Sequence, residues 1–315
     1  MKEWSREYWI KRVNQDIFTL KYATEEIKSD KEIILSQIKK HNWALEYASE
    51  SLKCDKEFVL EAVKIDGFTL LYAAKELQGD KEIALEAAKK TGYILQYLPK
   101  ELQNDKDIVI QAVKQDGHVL EYAGKFQYDT DVILEAINQT GFALKYAPKK
   151  IRDDEEVVSK ATKRSLYSFR YASERLKNDK NFVIHLIKRH GSILEYVSKE
   201  LQNDKEVVLE AIKQTGNFLQ YASKELKDDK EIALKAIQTY PLAIQYLSLR
   251  LQADKEVVLR ASEKNIRALF YVEKELQSNI VQNLEKILSK KYETDSIEII
   301  RDIEKNNIVL KEIIK

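Results

Sequence analysis

The chain has 315 residues, 44% apolar and 33% charged, with 53 lysines and arginines against 52 aspartates and glutamates. A balance this close to neutral argues against a protein held to nucleic acid mainly through phosphates, which carries a clear basic excess. Eight glycines and three prolines leave little room for turn-rich sheets, and one cysteine, Cys54, excludes an internal disulfide.

The opening MKEWSREYWIKRVNQD holds no apolar run long enough for a secretory signal, and no later stretch reaches membrane-spanning length. The sequence therefore reads as cytoplasmic, with export by a route lacking a cleavable signal left open. Ser5 is placed to cap the first helix, and Trp9 takes a core position within it.

From there one unit of about 25 residues recurs along the chain. The tyrosines trace it alone: Tyr22, Tyr47, Tyr72, Tyr97, Tyr122, Tyr146, Tyr171, Tyr196, Tyr221, Tyr246 and Tyr271. Only the step from Tyr122 to Tyr146 is a residue short. A short fixed period marks a solenoid, in which each unit buries its apolar face against its neighbours.

The unit DKEFVLEAVKIDGFTLLYAAKELQG, from Asp55, shows what each position does. Asp55 precedes an apolar-periodic stretch and predicts a helix N-cap, with Glu57 adding negative charge where the helix dipole favours it. Phe58, Val59, Ala62 and Val63 predict the buried face of a helix of about three turns, and a small residue at Ala62 lets a neighbour approach. Lys64 closes that helix against its dipole. At the junction Asp66-Gly67, the glycine is expected to stop the first helix in a left-handed conformation and the aspartate to cap a second. Leu70, Tyr72, Ala73 and Leu77 then predict the second helix.

The predicted fold is all-α: an α-α solenoid of about eleven such helical hairpins over residues 1–278, closed by a divergent helical C-terminal cap over 279–315. Two places break the rhythm. FQYDTD drops one residue, and the stretch from Glu156 to Arg170 puts Ser159, Thr162 and Leu166 where Leu, Val and Gly usually stand.

At DKEVVLEAIKQTGNFLQYASKEL, from Asp204 to Leu226, the chain resembles a bacterial tandem-repeat family catalogued as domain of unknown function 4116. The resemblance covers roughly residues 1–278. It implies a setting in bacteria or protists, including intracellular bacteria whose proteins act on host cells. It supplies no catalytic residues.

Nor does the sequence offer chemistry of its own. His185 and His190 fall on different helix faces, His41 and His190 sit at helix junctions, and the glycines are too scattered for a phosphate loop. Neither an enzyme nor a cofactor or metal site is expected, nor a membrane or small-molecule ligand. One edge does invite a binding role. Directly after the junction stand Phe18, Trp43, Phe68, Tyr93, His118, Phe142 and Tyr167, followed by Ser192, Asn217, Leu242 and Arg267. About four residues before them runs a lysine column: Lys39, Lys64, Lys89, Lys114 and Lys163. Read structurally, each ring packs on the tyrosine four residues ahead and the lysines balance the helix dipole. Read functionally, the two columns form an exposed edge for a protein partner, or alternatively for RNA or single-stranded DNA. The sequence favours a non-enzymatic scaffold that binds a protein along its surface, in the manner of an effector or inhibitor.

Overall fold

The computed structural model describes residues 4–272, 297–302 and 307–312. The chain divides into two compact units, Met1–Ala172 and Ser173–Lys315. Both are built as an α-α solenoid from the same repeat. In the first unit the long helices are Arg6–Gln15, Lys31–Ile38, Lys56–Ile65, Lys81–Lys90, Lys106–Gln115, Thr130–Gln139 and Glu155–Arg164. In the second they are Lys180–Ile187, Lys205–Ile212, Lys230–Thr239 and Lys255–Lys264.

The first half of each repeat follows its sequence pattern. The Asp55 carboxylate accepts from the Phe58 N–H at 3.1 Å. The helix it starts buries Phe58, Val59, Ala62 and Val63, each large apolar side chain contributing about 1.5–3 kcal/mol. Successive long helices pack as one row within each unit.

The second half departs from the expected single helix. Gly67–Tyr72 is a 3₁₀ helix, Ala73 is extended at φ −73° and ψ 166°, and only Lys75–Gln78 returns to α geometry. Asp66 accepts from the Phe68 N–H just two residues on, which favours the tight winding of three residues per turn, but the same winding follows Thr91 and Thr140 without a side-chain cap bond. Gly67, Leu70 and Ala73 then share the inner ridge, all buried, while Phe68 and Leu71 share an outer one and are half-exposed.

The junction glycine also has a different role from the one expected. Among the glycines only Gly124 has a positive φ, 53°. The junction glycines sit under the next repeat: a Cβ on Gly92 would lie 2.4 Å from the Ala112 carbonyl oxygen, and one on Gly216 would lie 2.0 Å from that of Ala236. The freed backbone N–H is used as well. Gly92 donates to Gln115 Oε1 at 2.8 Å, and Gly216 to Thr239 Oγ1 at 2.8 Å. Glycine and the recurring alanine are thus two sides of one close approach. Further along, Ser49 N–H donates to the Lys28 carbonyl, Ala74 to Lys53 and Ser223 to Gln202. Pro99 and Pro148 take the same place and have no N–H to give.

A third contact between repeats is ionic. In most repeats the lysine after the cap reaches the cap aspartate of the following repeat: Lys31 to Asp55 at 2.7 Å, Lys56 to Asp80 at 2.8 Å and Lys81 to Asp105 at 2.6 Å. In the second unit Lys205 meets Asp229 and Lys230 meets Asp254. A second carboxylate two residues on often joins, as Glu82 does for Lys56 at 2.9 Å. The lysine hydrogen bond holds Asp55, Asp80 and Asp129 below the usual carboxylate pKa. At Asp105, Asp204 and Asp229 burial pushes upward and is the largest single influence, but lysine and helix N–H groups together outweigh it.

Thr130 stands where this lysine belongs, one repeat before Asp154 and Glu156. Thr130→Lys should complete the rung and raise the thermal midpoint by about 1–3 °C at pH 7. A carboxylate with a depressed folded pKa adds stability above its unfolded pKa, about 3.9, and loses it as pH falls through the folded value. The gain should therefore be lost in strong acid, where the carboxylates of the rung are protonated. Thermal scans of both chains at pH 7 and in strong acid check this; an equal gain at both would refute the ionic account.

The stretch from Glu156 to Arg170 carries its irregularity into the core. Thr162 and Ser168 are buried, and neither hydroxyl has a hydrogen-bond partner. The predicted helical cap fares differently from the array. Its expected start at residue 279 lies outside the described residues. Within it, β1 (Ile297–Asp302) and β2 (Asn307–Glu312) pair antiparallel, Ile297 opposite Glu312 and Asp302 opposite Asn307. The β-branched Ile297, Ile299, Ile300, Ile308 and Val309 favour strands over a helix.

Candidate interaction surface

The 3₁₀ helices of successive repeats lie side by side within each unit, forming a row separate from the long helices. Their inner ridge is core, so whatever follows the junction glycine is turned outward. None of Phe18, Trp43, Phe68, Tyr93, His118, Phe142 and Tyr167 is buried. Phe18 is 58% exposed and Tyr167 57%. The repeat tyrosines join them, with Tyr22 78% and Tyr97 55% exposed.

The rings pair across repeats. Phe68 meets Tyr97 edge-on at 6.0 Å, Tyr93 meets Tyr122 at 6.2 Å and Phe142 meets Tyr171 at 6.5 Å. Phe18 meets Tyr47 in the same way at 6.3 Å and also stacks on Trp43 at 5.4 Å. His118 stacks on Phe142. The expected contact with the tyrosine four residues ahead occurs at Trp43 and Tyr47, 5.9 Å apart, but the recurring partner is the tyrosine of the next repeat. In the second unit the same pairing turns polar: the Tyr246 hydroxyl donates to Asn217 Oδ1 at 2.9 Å. Edge-on ring pairs contribute about 0.5–1.5 kcal/mol beyond their buried area.

The lysine column does not meet these rings. Lys39, Lys64, Lys89, Lys114 and Lys163 are all exposed at the ends of the long helices. Lys89 pairs with Glu86 on its own helix at 2.6 Å. Other cations do lie over rings: Lys125 over Phe126 and, on the repeat tyrosines themselves, Lys145 over Tyr146 and Arg170 over Tyr171. The two predicted columns are therefore separate features, and the dipole and solvation reading suits the lysines. Sequence reasoning passed over the lysine of the Asp-Lys-Glu string, although its recurrence was visible.

Among the described residues no group of three or more His, Cys, Asp or Glu is placed to hold a metal ion. The furrows between repeats are open; the one between Lys205–Ile212 and Lys230–Thr239 is lined by Leu209, Lys213 and Gln238. No helix among the described residues is long and apolar enough to cross a membrane.

The repeat arithmetic agrees with a family comparison. The model of a family described as a domain of unknown function, DUF4116, matches residues 5–53, 38–78, 80–127, 129–177, 179–227 and 229–277. The chain belongs to this family. Most matches cover two of the short repeats, so the DUF4116 unit corresponds to a pair of them. No curated protein and no solved structure matches the chain. What the repeats of this chain share is thus the Asp-capped helix and the tyrosine-ended 3₁₀ arm, while the residue after the junction varies from copy to copy.

Proposed function

We propose that this DUF4116 array is a non-enzymatic scaffold that binds a protein partner along its 3₁₀ face, acting as a bacterial effector or inhibitor in the cytoplasm it enters or occupies. The observation that carries this reading is the aromatic strip of residues 18–171. Large rings stand outward in consecutive repeats on a framework whose inner positions hardly change. Tyrosine and tryptophan on a rigid support lose little conformational freedom on binding and are the residues that anchor protein interfaces.

Nucleic acid is the weaker candidate for the same strip. Stacking on bases needs free ring faces with cations beside them. Here neighbouring rings contact one another, the lysine column lies on the long helices, and cations lie over only the last repeat tyrosines of the strip, Tyr146 and Tyr171.

Affinity capture from native cytosol and from a host lysate tests the proposal. The wild-type chain should retain a protein that the variant Phe18→Ser/Tyr22→Ser/Tyr97→Ser loses. Nothing retained from either source, or equal retention by both chains, would contradict it.

A further inference from the structure

The strip is not uniform in charge. The 3₁₀ and short-helix arm of the sixth repeat, residues 141–152, reads GFALKYAPKKIR and holds Lys145, Lys149, Lys150 and Arg152 with no carboxylate. The same arm at 67–78 balances Lys75 with Glu76, and at 92–103 Lys100 with Glu101. The closing lysines of other short helices have acidic partners three residues back, as Lys28 has Glu25 and Lys53 has Glu50, while Lys100 and Lys199, at the place of Lys149, bond Gln103 and Gln202. Among the described residues Lys149 and Lys150 enter no ion pair.

Lys150 stands four residues before the cap Asp154, as Arg250 does before Asp254. One arrangement for a cation at its position is seen in the second unit, where Arg250 reaches back to Asp228 of the preceding repeat at 3.0 Å. In register with Asp228, before Lys150, stands Tyr128, which is 74% exposed. Arg152 likewise replaces the glutamine that, at Gln78 and Gln103, bonds carbonyls of its own 3₁₀ helix. Its Nε is buried without a hydrogen-bond partner. Lys145 lies over the Tyr146 ring at 5.0 Å.

We propose that Lys145, Lys149 and Lys150, flanked by Tyr128 and Tyr146, dock an acidic segment of the protein partner bearing apolar side chains among its carboxylates. This deepens the scaffold reading and rests on it. Charge complementarity selects the occupant. The surplus cations occupy six residues of one repeat, enough for a short acidic stretch. A polyanion running along the strip would instead meet Glu46, Glu76, Glu101 and Glu121, with no further uncompensated cations in those arms.

The test uses the full chain and fluorescence anisotropy with three labelled probes: a short peptide alternating glutamate and leucine, its lysine counterpart, and an oligouridylate. The glutamate peptide should bind, more weakly as salt rises, and Lys145→Glu/Lys149→Glu/Lys150→Glu should weaken it about tenfold or more. Reversing the exposed Lys188 and Arg189 of the other unit should leave binding unchanged. Matching circular dichroism melts would show that all variants fold. No binding of the glutamate peptide, equal binding by the triple variant, or tighter binding of oligouridylate would overturn the proposal. Should the triple variant still capture the protein that the aromatic variant loses, the charge assignment falls while the scaffold reading stands.

Discussion

Valine at Gly92 should cost the first unit about 3 kcal/mol, read as a lower urea midpoint. The added Cβ would fall 2.4 Å from the Ala112 carbonyl oxygen and 2.9 Å from Gln115 Oε1. The glutamine can swing aside, at the loss of the hydrogen bond it receives from Gly92 N–H. The carbonyl belongs to the helix of the next repeat and cannot move without separating the two. Gly79→Ala is the matched control. Its Cβ would meet only the Glu76 carbonyl at 3.7 Å, and its φ of −91° suits alanine. That substitution should be neutral or stabilise by about 0.5 kcal/mol, by restricting the unfolded chain. Equal losses at both sites would mean that the glycines act through backbone freedom rather than through contact.

Phe58→Ala should cost about 3–5 kcal/mol, whereas Tyr97→Ala should cost about 1 kcal/mol or less. Both residues are aromatic and recur in their repeats, but Phe58 is 1% exposed and Tyr97 55%. Truncating the first leaves a cavity among packed side chains; truncating the second removes an edge-on contact with Phe68 at the surface. Chemical denaturation of the two variants measures the difference. A Tyr97 loss comparable to that of Phe58 would place the strip in the core and remove the case for a binding face.

Much of the fold is legible in the sequence. The aspartate before Phe58 and Val59 gave the start of the long helix, and the lysine at 64 its end, because caps and apolar periodicity are local signals. What escaped was the relation between neighbouring repeats. In a periodic chain, a contact from Phe68 to the next repeat's Tyr97 leaves the same pattern as one to its own Tyr72. Likewise, the lysine at 56 looks like a solvated residue until the following cap, Asp80, is set beside it. Glycine at the junction was assigned backbone freedom for the same reason: its real neighbour, the Ala87 carbonyl in the case of Gly67, is a repeat away. The outward aromatic column was visible as a list of residues but not as a surface. Its exposure follows from 3₁₀ winding, which a leucine–tyrosine–alanine spacing does not distinguish from an α-helix over so few residues.

Hydroxyl-radical footprinting of the free chain, read ring by ring, tests the central claim most directly. Tyr22, Tyr97 and Tyr167 should be labelled rapidly, and Phe58 and Phe169 should be protected. Protection of the three tyrosines to the level of the two phenylalanines would show that the rings close the core, and the scaffold account would fail.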